Sequence, residues 1–162
     1  MQEPAEQISD TRALRAVLGA FPTGVAIITV LAEGAQPVGV TVNSLSSVSL
    51  DPPLLLWSLL STSPSMSAFR GASHYCVNIL AADQAHVATR FASKIPDKFD
   101  GIQWRPGPFG TPVLSGCSAT LLCETAFQNY GGDHTIFIGR IMAFEQAERQ
   151  SLLFVRGQFS AA

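Results

Sequence analysis

A run of short hydroxyl and amide side chains lies within residues 39–53. In an extended chain, the two-residue period of a strand separates polar from apolar side chains onto opposite faces. The polar set is Thr41, Asn43, Ser47 and Ser49, and the apolar set is Val38, Val40, Val42, Val48 and Leu50. The polar face could hydrogen-bond a ligand rich in oxygen and nitrogen. Spacing alone favours the simpler explanation, a strand with one side in solvent.

A second group of hydroxyls, Ser61-Thr-Ser-Pro-Ser65, precedes a predicted short helix. Free backbone N–H groups and the helix dipole make a helix N-terminus a natural place for an anion. Helix capping by Ser63 explains the same residues equally well. The group therefore indicates an anion site only in combination with other observations.

The third group is the segment Gly131-Gly-Asp-His-Thr-Ile-Phe-Ile-Gly139. Its two leading glycines allow a sharp bend, so Asp133 and His134 reach the edge of the next strand, where a ligand could be touched. A histidine beside an aspartate more often forms a local hydrogen bond than a catalytic pair. The segment therefore gives a candidate site and no assigned role.

Several other kinds of chemistry lack their usual motifs. There is no phosphate loop, no dinucleotide-binding glycine motif and no nucleophile elbow. The three histidines (His74, His86 and His134) lie far apart in sequence and show no metal-ligand spacing. A three-histidine metal site stays geometrically possible, but we predict no metal. The three cysteines also lack Cys-x-x-Cys spacing, and we expect buried free thiols in a reducing compartment.

Composition limits the partners. The net charge of -2 and the absence of a basic run argue against nucleic acid. The apolar runs are too short to span a bilayer, and the acidic first residues are unlike a signal peptide, so we expect a cytoplasmic protein with no membrane association. Hydrophobic residues make up 47% of the chain and charged residues only 14%. We expect another subunit or a ligand to cover part of the apolar surface.

Turn and cap signals divide the chain into a flexible polar arm over residues 1–9 and one domain over residues 10–162. Predicted helices cover 11–20 with Asp10 as N-cap, a short segment with Ser63 as N-cap and Pro64 at its first position, and 84–92 with Asp83 as N-cap. Predicted strands cover 25–31, 37–43, 47–50, 54–60, 75–80, 113–126, 134–144 and 152–159, with a long irregular loop over 94–112. The first strand is apolar throughout, so both its faces should be covered. This pattern predicts a mainly β protein, a β-barrel with a few short helices.

Taken together, these segments resemble the flavin reductase family, whose fold is the FMN-binding split barrel. Members of that family are the reductase components of two-component flavin-dependent monooxygenases. The resemblance extends from about Leu14 to Phe159. It rests on Phe21-Pro-Thr-Gly-Val25, Thr41-Val-Asn-Ser44 with Ser47-Val-Ser-Leu-Asp-Pro-Pro53, Phe91 with Asp97-Lys-Phe99, and Gly132-Asp-His-Thr-Ile-Phe-Ile-Gly139, in the family's order.

The resemblance implies a homodimer with a flavin, FAD or FMN, in each of two grooves at the subunit interface. Its implied flavin-lining residues are Thr41, Asn43, Ser44, Ser47 and Ser49, with Ser61, Ser63, Phe91 and Lys98 nearer the phosphate. His134 is implied as the catalytic-site residue that positions the nicotinamide. The family often has a proline before its last strand and a tyrosine near its end, where this chain has Ser151 and Phe159. These two differences bear on how the site closes and on flavin preference.

The resulting hypothesis is hydride transfer from NADH or NADPH to the flavin, which supplies reduced flavin to a partner monooxygenase. Because the cofactor carries the reaction, no side chain needs to act as an acid or a base. Three alternatives stay open: an enzyme on the same barrel that retains its flavin and reduces another acceptor, a non-catalytic flavin-binding protein, and a barrel dimer that binds a different small ligand.

Overall fold

The computed structural model describes residues 8–162. Its helices are α1 (Thr11–Leu18), α2 (Met66–Gly71) and α3 (Ala85–Ala92). Its strands are β1 (Thr23–Gly24), β2 (Ala26–Ala32), β3 (Gln36–Val42), β4 (Ser46–Leu50), β5 (Pro53–Leu60), β6 (His74–Ile79), β7 (Trp104–Pro106), β8 (Pro112–Leu114), β9 (Ala119–Gly131), β10 (His134–Gln146), β11 (Leu152–Val155) and β12 (Gln158–Ala161). The predicted arm over residues 1–9 lies outside the described residues except for Ile8 and Ser9.

Seven strands form one antiparallel sheet in the order β3-β2-β6-β9-β10-β5-β4. Strands β3 and β4 are consecutive in the chain but lie at opposite edges of this sheet, so the three residues that connect them bring the two edges together. There, the Ser44 hydroxyl accepts the Ser58 N–H at 3.0 Å and contacts the Ser58 carbonyl at 3.3 Å. The sheet therefore curls into a barrel with a gap between β3 and β4, which confirms the predicted mainly β barrel.

Two apolar clusters lie on opposite sides of β2. Ile28 and Val30 join the cluster inside the barrel around Trp57. Ile27 joins an outer cluster that is covered by α3 and contains Phe91. Both faces of β2 are thus buried, as its uninterrupted apolar sequence predicts.

Two long strands predicted from the sequence are each divided. The stretch 113–126 contains β8 and β9, because residues 115–118 turn and Gly116 has φ of +77°. The stretch 152–159 contains the hairpin β11–β12, whose turn places Arg156 at φ +50° and Gly157 at φ +78°. Cys117 therefore precedes β9 and does not share a strand with the next cysteine. All three cysteines are free and buried.

Of the three N-cap residues predicted from the sequence, the structure has one in that role. Asp10 accepts hydrogen bonds from the backbone of the first turn of α1, at 3.0 and 2.9 Å. Asp83 does not cap α3: Gln84 occupies the N-cap position, and the Asp83 carboxylate pairs with Arg149 at 2.7 Å. Ser63 does not cap α2 either, because the backbone turns once more and the helix begins after Ser65.

The segment over residues 94–112 is more ordered than a loop prediction implies. It contains β7, which pairs with β8. The Arg90 guanidinium also donates to the carbonyls of Asp97 and Lys98, at 2.9 and 2.8 Å. Within residues 8–162, no helix has the length and apolar character needed to span a bilayer.

Candidate active site

The connection between β3 and β4 carries the first predicted site residues. Asn43 is exposed, and its side chain makes no hydrogen bond to the described residues. Ser44 is half-buried and bonds Ser58. Thr41 faces α3 instead, and its hydroxyl donates to the Ala88 carbonyl at 2.6 Å. Thr41 therefore fixes β3 against α3, while the amide of Asn43 is available to a ligand.

Strand β4 presents Ser47 and Ser49 at the open edge of the sheet. Among the strands of residues 8–162 it pairs only with β5, so half of its backbone groups point away from the sheet and need another partner. The register shifts between Ser47 and Ser49, which makes Val48 a bulge. Val48 and Leu50 are 48% and 92% exposed. The predicted division into a polar outer face and an apolar core face is therefore wrong for β4, because the bulge breaks the two-residue period.

The end of β5 and the start of β10 bring the second and third groups together. His134 pairs with Leu60 across these strands, and the Ser61 N–H donates to the Asp133 carbonyl at 2.9 Å. The Ser61 hydroxyl lies 3.2 Å from the Thr135 hydroxyl. Ser63 accepts the Ser65 N–H at 3.3 Å and so shapes the turn before α2.

Asp133 and His134 form a close pair, with Nδ1 of the histidine 2.7 Å from the carboxylate. The hydrogen bond and charge of His134 hold the pKa of Asp133 below its usual range. Asp133 therefore stays ionised, and it fixes the orientation of the imidazole ring through Nδ1. The Nε2 atom is left for a ligand.

Phe91 and Lys98 are placed differently from what the sequence predicts. The Phe91 ring is 0% exposed in the outer core cluster, where it packs against Gly39 and Phe99. A ring in this position has no open face for a cofactor. The Lys98 ammonium donates to the Phe91 carbonyl at 2.8 Å, and desolvation lowers the pKa of Lys98. This pair secures the end of α3, which in turn supports β3.

The strand register relates these groups to one another. Ser44 contacts Ser58 on β5, and Ser58 pairs with Ile136 on β10. His134 lies two residues from Ile136 along β10, which corresponds to about 7 Å of strand rise. The connection 43–45, the turn after β5 and His134 therefore follow one another along the same side of the barrel.

The donors along this side fit a flavin. Asn43, Ser47 and Ser49 have polar side chains with no hydrogen-bond partner among residues 8–162, and the β4 edge adds unpaired backbone groups. Carbonyl oxygens, ring nitrogens and ribityl hydroxyls of a flavin need this mixture of donors and acceptors. By contrast, no cluster of three or more His, Cys, Asp and Glu side chains in the described chain is placed to hold a metal ion.

Sequence reasoning misses three residues at this site. Ser58 and Thr135 lie in predicted strands but bond the site residues Ser44 and Ser61. Arg70 follows the buried Phe69 on α2, and its guanidinium lies 3.5 Å from the Thr135 hydroxyl. Ser58 and Arg70 belong to no motif, and Thr135 lies in the segment 131–139 without a signal of its own, so only the three-dimensional contacts reveal these residues.

Comparison with known proteins assigns the family. The family model of the flavin reductase like domain matches residues 18–162. The chain belongs to this family. The family prediction from the four sequence segments is therefore confirmed.

Curated relatives of this flavin reductase chain include reductase subunits of monooxygenases and flavin reductases. Over 157 residues the chain is 41% identical to HsaB, the reductase subunit of a flavin-dependent monooxygenase in Rhodococcus jostii. The alignment covers 96% of this chain and 80% of HsaB. The chain is 40% identical to the FMN reductase (NADH) SmoA of Agrobacterium fabrum, over 93% of this chain and 85% of SmoA. Some relatives are longer: the chain spans 50% of the reductase component of a trigonelline monooxygenase from Acinetobacter baylyi.

Solved structures confirm the split-barrel fold. Nitrilotriacetate monooxygenase component B from Mycobacterium thermoresistibile superimposes with a TM-score of 0.91 at 41% identity, over 97% of this chain and 89% of that one. The NADH:FAD oxidoreductase SgcE6 of Streptomyces globisporus, in complex with NAD and FAD fragments, gives a TM-score of 0.90 at 35% identity, over 98% of this chain and 96% of that one.

Proposed function

We propose that this protein is an NAD(P)H-dependent flavin reductase, which transfers hydride from NADH or NADPH to FAD or FMN and supplies the reduced flavin to a partner monooxygenase. The observation that carries the proposal is the strand register that aligns Asn43, Ser44 and His134 along one side of the gap between β3 and β4. Relatives whose names combine NADH with FMN or with FAD support the same chemistry.

The flavin, when bound, supplies the hydride-accepting ring, and the side chains of this protein bind and orient it. Asn43 and the β4 serines (Ser47 and Ser49) provide hydrogen bonds along the gap, and the contact between Ser44 and Ser58 joins the two edges of the sheet. Ser61 and Ser63 serve the phosphate end. Thr41 and Lys98 act indirectly, because their hydrogen bonds hold α3 against β3.

His134 is proposed to position the nicotinamide. Its Nδ1 contacts the ionised Asp133 carboxylate, so Nε2 is left free to contact a ligand. Hydride transfer needs no proton donor on the nicotinamide, and correct placement of the two rings is the main contribution that a protein can make. His134 is therefore a positioning residue for the dinucleotide.

We also propose a homodimer. Large apolar side chains are exposed on the described chain, among them Phe127 at 59%, Tyr130 at 89% and Phe144 at 76%. Exposed apolar side chains of this size, on a chain with few charged residues, are typical of surfaces that a second copy covers. Sedimentation equilibrium at micromolar concentration should give twice the chain mass, and a monomer at that concentration would contradict the proposal.

A cytoplasmic location is proposed on the basis of cysteine chemistry. All three thiols are free and buried, which suits a reducing compartment. The cytoplasm also contains the nicotinamide dinucleotides that the proposed reaction requires.

The purified protein with NADH or NADPH tests the activity directly. We expect nicotinamide oxidation at 340 nm whose rate rises with added FMN, FAD or riboflavin. One equivalent of reduction on a retained flavin would indicate instead an enzyme with another acceptor. A bound flavin that is never reduced would indicate a non-catalytic binding protein, and no flavin binding at all would leave a barrel that binds another ligand.

A further inference from the structure

One face of α1 carries two arginines and contacts the rest of the fold. Arg12, Arg15 and Gly19 lie on this face, because they are three and four residues apart along a helix. At Gly19 the face meets the turn between β11 and β12. There, the Gly19 carbonyl accepts the Arg156 N–H at 2.6 Å, and a Cβ at Gly19 would lie 3.8 Å from the Arg156 Cα. Arg156 thus joins Arg12 and Arg15 as a third arginine in the same region.

The apolar side of α1 is turned away from the fold. Val17 and Leu18 are 71% and 65% exposed, and no residue of the helix is buried. An amphipathic helix usually packs its apolar side against the core. Core packing therefore does not account for the position of α1. Its exposed apolar side is left to a second copy of the chain, and its arginine face is left to a ligand.

The arginine face lies close to the candidate site. The pKa of Asp133 is lowered mainly by the hydrogen bond and charge of His134, and the charge of Arg15 adds to this effect. The Asp133 carboxylate also lies 2.7 Å from Nδ1 of His134. Arg15 is therefore near the turn that carries the residue proposed to position the nicotinamide.

The arginines of this region are not neutralised by ion pairs. Three other surface arginines each contact a carboxylate at 2.6–2.9 Å, namely Arg105, Arg140 and Arg149. Within residues 8–162, Arg12, Arg15 and Arg156 have no carboxylate within salt-bridge distance. Neighbouring cations without a counter-charge attract an anion, and the planar guanidinium group matches the oxygens of a phosphate.

A nicotinamide dinucleotide needs a group of this kind. Its pyrophosphate is joined to the nicotinamide through one ribose, so it must lie near the residue that positions the ring. The chain lacks the glycine-rich motif with which other dinucleotide-binding proteins hold a pyrophosphate at a helix N-terminus. The charge for the phosphates must therefore come from side chains.

We propose that Arg15, together with Arg12 and Arg156, forms an anion subsite for the phosphate groups of the nicotinamide dinucleotide. The subsite lies beside His134 and is separate from the turn that serves the flavin phosphate. This inference rests on the proposed function, and it assigns residues to the half of the dinucleotide that does not react.

ADP-ribose carries the pyrophosphate but no nicotinamide, so it tests the subsite without turnover. Its dissociation constant is measured by isothermal titration calorimetry in wild type and in Arg15→Gln. We expect Arg15→Gln to weaken ADP-ribose binding about fivefold or more, since a charge-assisted hydrogen bond is lost, and to change FMN binding by less than about twofold. Arg15→Lys, which keeps the charge, should retain most of the affinity. Arg149→Gln is the matched control, because it removes an arginine that already pairs with a carboxylate, and it should bind ADP-ribose like wild type.

Steady-state kinetics with NADH and NADPH identify the phosphate group. If the pyrophosphate is held, Arg15→Gln should raise the KM for both dinucleotides by a similar factor and change kcat by less than about twofold. If only the 2′-phosphate is held, the KM for NADPH alone should rise, with ADP-ribose binding unchanged.

No change in ADP-ribose binding and in both KM values would overturn the subsite, and so would an equal loss of FMN binding. Wild-type protein that oxidises neither dinucleotide with any added flavin would instead remove the proposed function. The two failures are therefore distinguishable.

Discussion

Asn78 offers a quantitative test of what holds the barrel to the segment that follows α3. Its side chain is 0% exposed and joins three parts of the fold. The amide donates to the Ile27 carbonyl and to the Thr29 hydroxyl, both at 3.1 Å, and its oxygen accepts the Leu114 N–H at 2.8 Å. Strands β2, β6 and β8 therefore meet at this one residue.

Replacement of Asn78 by leucine keeps a similar volume and removes all three bonds. Each buried polar group that loses its partner costs about 1–3 kcal/mol, and the added apolar side chain returns about 1–2 kcal/mol. With a mid-range cost of about 2 kcal/mol for each of the three groups, the net loss is about 4–5 kcal/mol, a large share of the roughly 5–15 kcal/mol that stabilises a typical domain. At about 2–4 °C per kcal/mol for a chain of this size, Tm should fall by roughly 8–20 °C.

Urea denaturation followed by tryptophan fluorescence measures this loss, since Trp57 is fully buried in the inner core. Protein concentration is held constant so that association does not change the midpoint. The control is Asn129→Leu, the same chemical change at an exposed position on β9, which should alter the free energy of unfolding by less than about 0.5 kcal/mol. If Asn78→Leu costs no more than this control, the argument from the hydrogen-bond network is refuted.

Four further predictions concern the site, the thiols and the packing of α3. His134→Ala should lower kcat/KM for NADH about tenfold, mainly through KM, and leave residual turnover in steady-state assays; complete inactivity with flavin still bound would contradict a positioning role. Burial raises the pKa of each of the three cysteine thiols to about 12, so at pH 8 the native protein should react with a thiol reagent about a thousandfold more slowly than an ordinary thiol. The same groups ionise in the unfolded chain near their usual pKa of 9.0, so the free energy of unfolding should fall as pH rises from 9 toward 12, which urea midpoints at pH 8, 9 and 10 will measure. In Gly39→Ala, the new Cβ would lie 2.6 Å from the Phe91 ring, which should lower stability by about 1–3 kcal/mol in thermal denaturation.

Each of these has a defined contrary result. Rapid labelling of native protein would show that the thiols are accessible, and urea midpoints that do not change up to pH 10 would show that their burial is not linked to folding. For the α3 contact, adding Phe91→Leu to Gly39→Ala should recover part of the lost stability, because the smaller side chain leaves room for the Cβ. Additive losses in the double variant would contradict the packing argument.

Strands with strong apolar or β-branched character could be predicted from the sequence because burial on one or both faces leaves a direct pattern. The region 25–31 is such a case, and β2 is found at Ala26–Ala32. The turns were harder to predict from the sequence than the strands. Gly116 and Arg156 interrupt apolar stretches at positive φ, and an arginine gives no local signal for that conformation.

The position of a candidate site residue could be predicted from the sequence where its side chain stays exposed at a strand end. It could not be predicted where another part of the fold uses the side chain in a tertiary contact. Asn43 and His134 lie at strand ends along the gap, in accordance with their motifs. Thr41 is polar like Asn43, but α3 packs over Thr41, and the Ala88 carbonyl accepts a hydrogen bond from the Thr41 hydroxyl. The Phe91 ring is likewise buried in the core, where it packs in the space that a side chain at Gly39 would occupy. Such outcomes depend on which element packs over a strand, and the period of the sequence does not contain that information.

The contact between Ser44 and Ser58 has a consequence for the exchange of ligands. Elsewhere the barrel wall is held by ladders of backbone bonds, whereas these two side-chain bonds join the edges at the gap. A bond of this kind contributes only about 1 kcal/mol net. Thermal fluctuations can therefore separate the edges locally while the ladders stay intact. A wall that is weak at one defined place would let a bulky planar molecule enter and leave without unfolding, which suits a protein whose product must diffuse to another enzyme.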